Sequence, residues 1–92
     1  VFSTNNDNSP NLKIDTSGRV LIGTTTASTV TSTDDLTIAT SGSTGIELRS
    51  GTANAGNLTL ADGTSGDDRQ RGRVQYHHSD DYMRLFKNAI CI

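Results

Sequence analysis

Apolar and polar residues alternate over short stretches of this chain: Leu12 and Ile14, Val20 and Ile22, Leu36 and Ile38, Ile46 and Leu48, Leu58 and Leu60, then Val74 and Tyr76. A period of two puts both members of each pair on one face of a β-strand. Between the pairs lie turn formers, among them Thr16-Ser17-Gly18, Ser41-Gly42-Ser43, Ser50-Gly51-Thr52, Asp62-Gly63-Thr64 and Ser65-Gly66-Asp67. The pattern predicts strands near residues 11–15, 19–23, 35–39, 45–49, 57–61, 73–78 and 81–87. No window keeps apolar residues at i, i+3, i+4 and i+7 without an intervening Gly or Ser cluster, so no helix is predicted.

The last two strands can be set in register from the pattern. A two-residue turn at Ser79-Asp80 opposes His78 to Asp81, Tyr76 to Met83 and Val74 to Leu85, which gathers the large apolar side chains on one face. Gln75 then opposes Arg84 and His77 opposes Tyr82 on a polar face. A three-residue turn would set Tyr76 against Arg84 and is rejected for that reason.

Composition limits what these strands can build. Leu, Ile, Val and Phe together number 19 of 92 residues, and no aromatic residue occurs from Leu12 to Ala61. Two sheets packed about 10 Å apart are filled by aromatic and branched side chains. A sandwich is therefore a poor match, and a thin core of Ile, Leu and Val layers around an axis is expected. Each chain would bury one edge of its apolar surface, and a three-fold bundle would complete the core. Ser and Thr supply 24 residues and Asn and Asp another 16, against one Glu and six Ala, a bias toward strands, turns and caps.

Eight basic and ten acidic residues give a net charge of -2 with no long run of one sign, although Arg69, Arg71 and Arg73 form a small local cluster, so nucleic-acid binding is not indicated by overall charge. The single cysteine, Cys91, cannot close an internal disulfide. No apolar run is long enough to insert into a membrane as a helix, and Val1 to Pro10 lacks the charged and apolar regions of a signal peptide. A chain that opens on Val rather than Met is expected to be a fragment or a processed product. Leu12-Lys13-Ile14 is echoed by Ile90-Cys91-Ile92, with Phe2 and Asn5 upstream of the first and Phe86 and Asn88 upstream of the second. That echo reads as slightly more than one copy of a long repeat.

Several groups invite a chemical reading. His77-His78 with Asp80-Asp81 offers imidazole and carboxylate ligands, but neighbouring strand residues point to opposite faces and one chain cannot aim both histidines at one ion. A three-fold arrangement would bring three copies of His78 together near the axis as a ligand set; within a single chain no metal is assigned and His78 reads as a structural or solvent-facing histidine. Asp67-Asp68 with Arg69 and Arg71 has the two carboxylates that glycoside hydrolysis needs, yet a solvated loop with local ion pairs accounts for the same residues. Asp34-Asp35 reads as a turn, the glycines at 42, 45 and 51 are followed by no Lys-Ser or Lys-Thr, and no motif places a His against Cys91. No cofactor and no catalytic residue is assigned.

Leu12-Lys13-Ile14-Asp15-Thr16-Ser17-Gly18-Arg19-Val20-Leu21-Ile22-Gly23-Thr24 resembles a segment that recurs in phage tail fibres. A second stretch, Leu60 to Gly66 leading to Arg73-Val74-Gln75-Tyr76-His77-His78-Ser79-Asp80-Asp81-Tyr82-Met83-Arg84-Leu85-Phe86, is similar to the segment that precedes the next such motif in those fibres. After Asn88 the pattern departs, with Ala89-Ile90-Cys91-Ile92 in place of a polar turn and a basic run. The resemblance implies an all-β fold: an elongated homotrimeric β-fibre, as a triple β-helix or a stacked β-prism or solenoid, with a β-hairpin near the C-terminus. In many relatives such repeats precede an endosialidase-type intramolecular chaperone. On this basis 1–92 is a single fibre segment, with a first repeat motif at 1–24, thin β-layers at 25–61 and a loop plus hairpin at 62–92. The implied role is structural and non-enzymatic, in the shaft or tip of a virion tail fibre. Its partners would be copies of itself, other tail or fibre proteins and host-surface polysaccharide. Arg69, Arg71, Arg73, His77 and Tyr82 are the exposed candidates for glycan contact. The alternatives are a β-solenoid depolymerase, which needs a groove with paired acids, and a bacterial trimeric adhesin stalk.

Overall fold

A computed structural model of the chain describes residues 11–88, 90 and 91, and these fall into two compact units divided between Ile46 and Glu47. Both are built from strands, short 3-10 turns and loops, with no α-helix among the described residues. The echo that involves Phe2, Asn5 and Ile92 lies partly outside them.

The first unit is a three-stranded sheet of β1 (Leu12–Ile14), β2 (Val20–Ile22) and β3 (Leu36–Ile38), in that order. β1 and β2 run antiparallel with Leu12 opposite Ile22 and Ile14 opposite Val20. Their hairpin is made by Asp15, whose carboxylate accepts the Ser17 and Arg19 backbone N–H groups at 2.9 Å each and the Arg19 Nε at 2.7 Å. Gly18 closes the loop at φ +82°, a left-handed conformation that suits glycine at the end of a three-residue hairpin loop. β2 and β3 run parallel, Val20 beside Leu36 and Ile22 beside Ile38. A parallel pair needs a connection of a dozen or more residues, and residues 23–35 supply it.

That crossover is organised by hydroxyls. Ser28 Oγ accepts the Val30 N–H and lies 3.1 Å from Thr33 Oγ1, which donates to the Val30 carbonyl, while the Ser28 N–H donates to Thr37 Oγ1 at 3.1 Å. The Ser and Thr that lower helix propensity thus take over backbone partners in the turn. Gly23, at φ +78°, marks a close approach: a Cβ there would collide with the Ala39 carbonyl oxygen.

The pairing puts Leu12, Ile14, Val20, Ile22, Leu36 and Ile38 on one face and Lys13, Leu21 and Thr37 on the other. The aliphatic face holds the residues expected in a thin core, but it is the more open one: Ile14 and Leu36 are 45% and 51% exposed. The residue that is fully buried is Leu21, at 1%, on the opposite face where the crossover meets Thr37.

The second unit is a four-stranded antiparallel sheet, β4 (Ala55–Leu60), β5 (Gly72–His77), β6 (Tyr82–Lys87) and β7 (Ile90–Cys91), in sequence order. The hairpin register is the predicted one, with Val74 opposite Leu85, Gln75 opposite Arg84, Tyr76 opposite Met83 and His77 opposite Tyr82. The turn is wider than two residues, because 78–81 all leave the ladder. The His78 N–H turns aside to the Asn54 carbonyl at 3.0 Å and Asp81 takes φ +58°. A further difference concerns residues 45–49, where the alternation of Ile46 and Leu48 predicts a strand and the structure has none. Alternation encodes a half-buried surface, whereas a strand also needs a neighbour to share its backbone hydrogen bonds, and none pairs with this segment among the described residues.

Two outcomes test this account. Leu21→Ala should lower the stability of the first unit by about 2–5 kcal/mol in urea denaturation, as removal of a buried leucine does. The Asp15 carboxyl is held below its ordinary range, first by the Arg19 backbone N–H and then by the Arg19 guanidinium and the Ser17 N–H, with partial desolvation opposing them. A depressed folded-state value means that its contribution is complete above the unfolded-state pKa of about 3.9 and is lost as pH falls through the folded value. Thermal unfolding followed from about pH 5 to pH 2 should therefore show a loss of stability that Asp15→Asn diminishes.

Candidate functional site

The polar face of the second sheet holds the chemically richest side chains. The register sets them in three rows: Ala55, His77 and Tyr82 nearest the hairpin turn, then Asn57, Gln75 and Arg84, then Thr59, Arg73 and Phe86. In the middle row the Gln75 side-chain amide donates to Asn57 Oδ1 at 3.0 Å. Arg84 bridges to the turn, donating to Asp80 Oδ2 at 3.1 Å, and its guanidinium lies 5.3 Å from the centre of the Tyr82 ring. His77 Nδ1 lies 2.9 Å from Ser79 Oγ and 3.9 Å from the Asp80 carboxylate, which is thus flanked by an imidazole and a guanidinium. Tyr82 is 60% exposed beside this cluster. An open aromatic ring next to amides, a guanidinium and a carboxylate can stack on the apolar face of a sugar while bonding its hydroxyls.

The three candidate arginines do not converge. Arg69 lies in the 3-10 turn Gly66–Gln70 and its Nε donates to the Gly66 carbonyl at 2.9 Å. Arg71 joins three partners, the carboxylates of Asp62 at 3.4 Å and Asp68 at 2.5 Å and the Asn88 side-chain oxygen at 2.9 Å. It fastens the 62–70 loop to the end of β6, a task reinforced by the Asn88 N–H bonding to the Arg71 carbonyl. Arg73 stands on β5, half-buried, with its guanidinium 4.1 Å from the Phe86 ring centre and Nη1 donating to Gln70 Oε1 at 2.8 Å. Of the five residues, His77 and Tyr82 are brought together as a cross-strand pair.

Two of the acidic candidates, Asp68 and Asp34, are occupied in structural pairs. Asp68 is held by Arg71, and the Asp68 carbonyl accepts the Asp62 and Gly63 N–H groups, so this segment closes on itself as a loop. Asp34 receives Arg19 Nη1 at 3.4 Å, which fastens the β1–β2 hairpin to the end of the crossover. His78 packs its ring edge-on to Tyr76 with centroids 5.0 Å apart. The Tyr76 hydroxyl donates to the Asp81 carboxylate, and this bond raises the phenol above its ordinary range, with burial adding to the effect. Among the described residues no three His, Cys, Asp or Glu side chains come together as a metal-binding group. An open depression of about 390 Å³ in the first unit is lined by Leu36, Ile38, Thr44, Gly45 and Ile46, and no ionisable group contributes to its wall.

The sequence places Gln75, Arg84, His77 and Tyr82 on one polar face and groups Asp80 with His77, but it does not bring Asn57 to them. Asn57 became a neighbour of Gln75 only through the β4–β5 register, which alternation alone does not specify. The chain matches no protein-family model, no curated protein and no solved structure.

Proposed function

We propose that this chain is a non-enzymatic structural segment of a phage tail fibre, in its shaft or tip, that works as an assembly of copies of itself within the virion. One observation carries the proposal: each of the two sheets has an apolar face left open by its own chain, while a single side chain, Leu21, is fully buried among the described residues. A core this small is typical of arrays in which neighbours complete one another. The resemblance of residues 12–24 and 60–86 to tail-fibre segments supplies the biological setting. Other tail or fibre proteins are its further partners.

Glycan contact is the added role, and the polar cluster of the second sheet suits it better than the arginine-rich loop. Arg69 and Arg71 are engaged in holding the loop together, whereas Tyr82 is exposed, with the half-buried Arg84 and His77 beside it. A depolymerase would need two acids facing a groove, and Asp68 is instead paired with Arg71.

The thermal midpoint should rise with protein concentration, because association stabilises only the folded state. A midpoint independent of concentration over two decades, with cooperative unfolding of a monomer, would remove the assembly. Release of reducing sugar from bacterial surface polysaccharides by the purified chain would favour the depolymerase. On an array of such polysaccharides, Tyr82→Ala should lower retention about tenfold, the loss of one aromatic contact of about 1–1.5 kcal/mol, with an unchanged thermal midpoint.

A further inference from the structure

On the polar face of the second sheet, the row farthest from the hairpin turn contains a cation without a counter-ion. Arg19, Arg49, Arg71 and Arg84 each hold a carboxylate within 3.1 Å. Arg73 has no carboxylate partner among the described residues: its Nη1 donates to the Gln70 side-chain oxygen at 2.8 Å and its guanidinium lies 4.1 Å from the Phe86 ring centre. Its Nε is buried without a hydrogen-bond partner, while Nη2, also without one among the described residues, is open to solvent. An unpaired N–H and an uncompensated charge are both costly in a half-buried group, and an anion bringing oxygen acceptors relieves the charge and pairs the open nitrogen. Gln70 and the Phe86 ring already fix the plane of the guanidinium, so little further ordering is needed when an anion binds. The whole chain carries a net charge of -2, yet the strand register places two guanidinium groups on this face, Arg73 and Arg84, against the one carboxylate of Asp80 that Arg84 holds at the turn.

Resting on the glycan-contact reading above, we infer that Arg73 receives an acidic substituent of the polysaccharide, a carboxylate or a phosphate, while another ring of the same polymer stacks on Tyr82. Four residues along the strand and one strand across, Arg73 and Tyr82 stand about 14 Å apart, a distance that several linked sugar rings cover and one ring does not. The interval is furnished with uncharged groups. Thr59 lies opposite Arg73, and Asn57 and Gln75 occupy the row between, so hydroxyl and amide groups meet the sugar hydroxyls while the guanidinium meets the acid. The oxygens of that acid accept from Nη2 of Arg73. Arg69 also lacks a carboxylate partner among the described residues, but it belongs to the exposed turn Gly66–Gln70, where its Nε is bound to the Gly66 carbonyl. Arg73 is carried by a strand in the same sheet as Tyr82, which holds the two contact points at a constant separation.

The test uses the whole chain on an array of bacterial surface polysaccharides, each spotted in its native form, with its carboxylates reduced to alcohols, and with its phosphates removed. The polysaccharides retained should be acidic, and removing the acid should lower retention about tenfold, the lower end of what a hydrogen bond to a charged group contributes. The treatment that produces the loss tells carboxylate from phosphate. Arg73→Gln should bring the native form down to the level of its acid-free counterpart and leave the latter unchanged, whereas Tyr82→Ala should lower both. Arg69→Gln should alter neither. Equal retention of native and acid-free forms, with Tyr82→Ala lowering both, would overturn the acid recognition and leave glycan contact standing. An acid preference that survives Arg73→Gln, or that Arg69→Gln removes equally, would overturn the assignment to Arg73. Loss of both forms alike in Arg73→Gln would make that residue a support for Phe86 and overturn its role toward the acid. Retention of no polysaccharide by the unaltered chain would remove glycan contact and this inference with it.

Discussion

The constraint on which this structure depends is that, among the described residues, neither sheet is faced by a second sheet or by a helix. A sheet is stable when at least one face is removed from water, and small chains bury a smaller fraction of their surface than large ones. In this chain the strands are joined by good backbone ladders, yet their best apolar faces stay open. Backbone pairing therefore specifies the shape of each unit without supplying a core. The apolar area left outside is what the proposed self-association would cover.

Short polar devices hold the loops in the absence of such a core. Asp15 organises the first hairpin by collecting two backbone N–H groups and the Arg19 side chain. Arg71 does the equivalent for the 62–70 loop by reaching Asp62, Asp68 and Asn88. Ser28 and Thr33 order the parallel crossover through hydroxyls. Exposed ion pairs are individually weak, at about 0–1 kcal/mol, so these networks act chiefly by choosing one loop path among several. This also explains why acidic and basic residues that resemble a catalytic set in sequence are spent on loop closure.

The two faces of the second sheet divide the labour. One is apolar from Leu58 across Val74 to Leu85, and the other carries Asn57, Gln75, Arg84, His77 and Tyr82. Because strand neighbours alternate, every residue that strengthens one face is adjacent to a residue that furnishes the other. The proposed assembly and surface contact would therefore use the same two strands without competing for the same side chains.

The all-β class, six of the seven predicted strands and the pairing of Val74 through His77 with Tyr82 through Leu85 were legible in the sequence, since a period of two and the requirement that large apolar residues share a face depend only on neighbouring positions. Three things came only with the tertiary structure. The parallel β2–β3 pair and the β4–β5 register join residues whose sequence separation carries no local signal. The segment 45–49 has the alternation of a strand but no partner, and alternation cannot report whether a neighbour exists. Leu21 sits between two residues of the apolar stripe and by periodicity belongs outside. Its burial depends on the path of residues 23–35, whose turns are made by hydroxyl bonds rather than by the apolar pattern, so only the folded chain could decide which face of the first sheet would be covered.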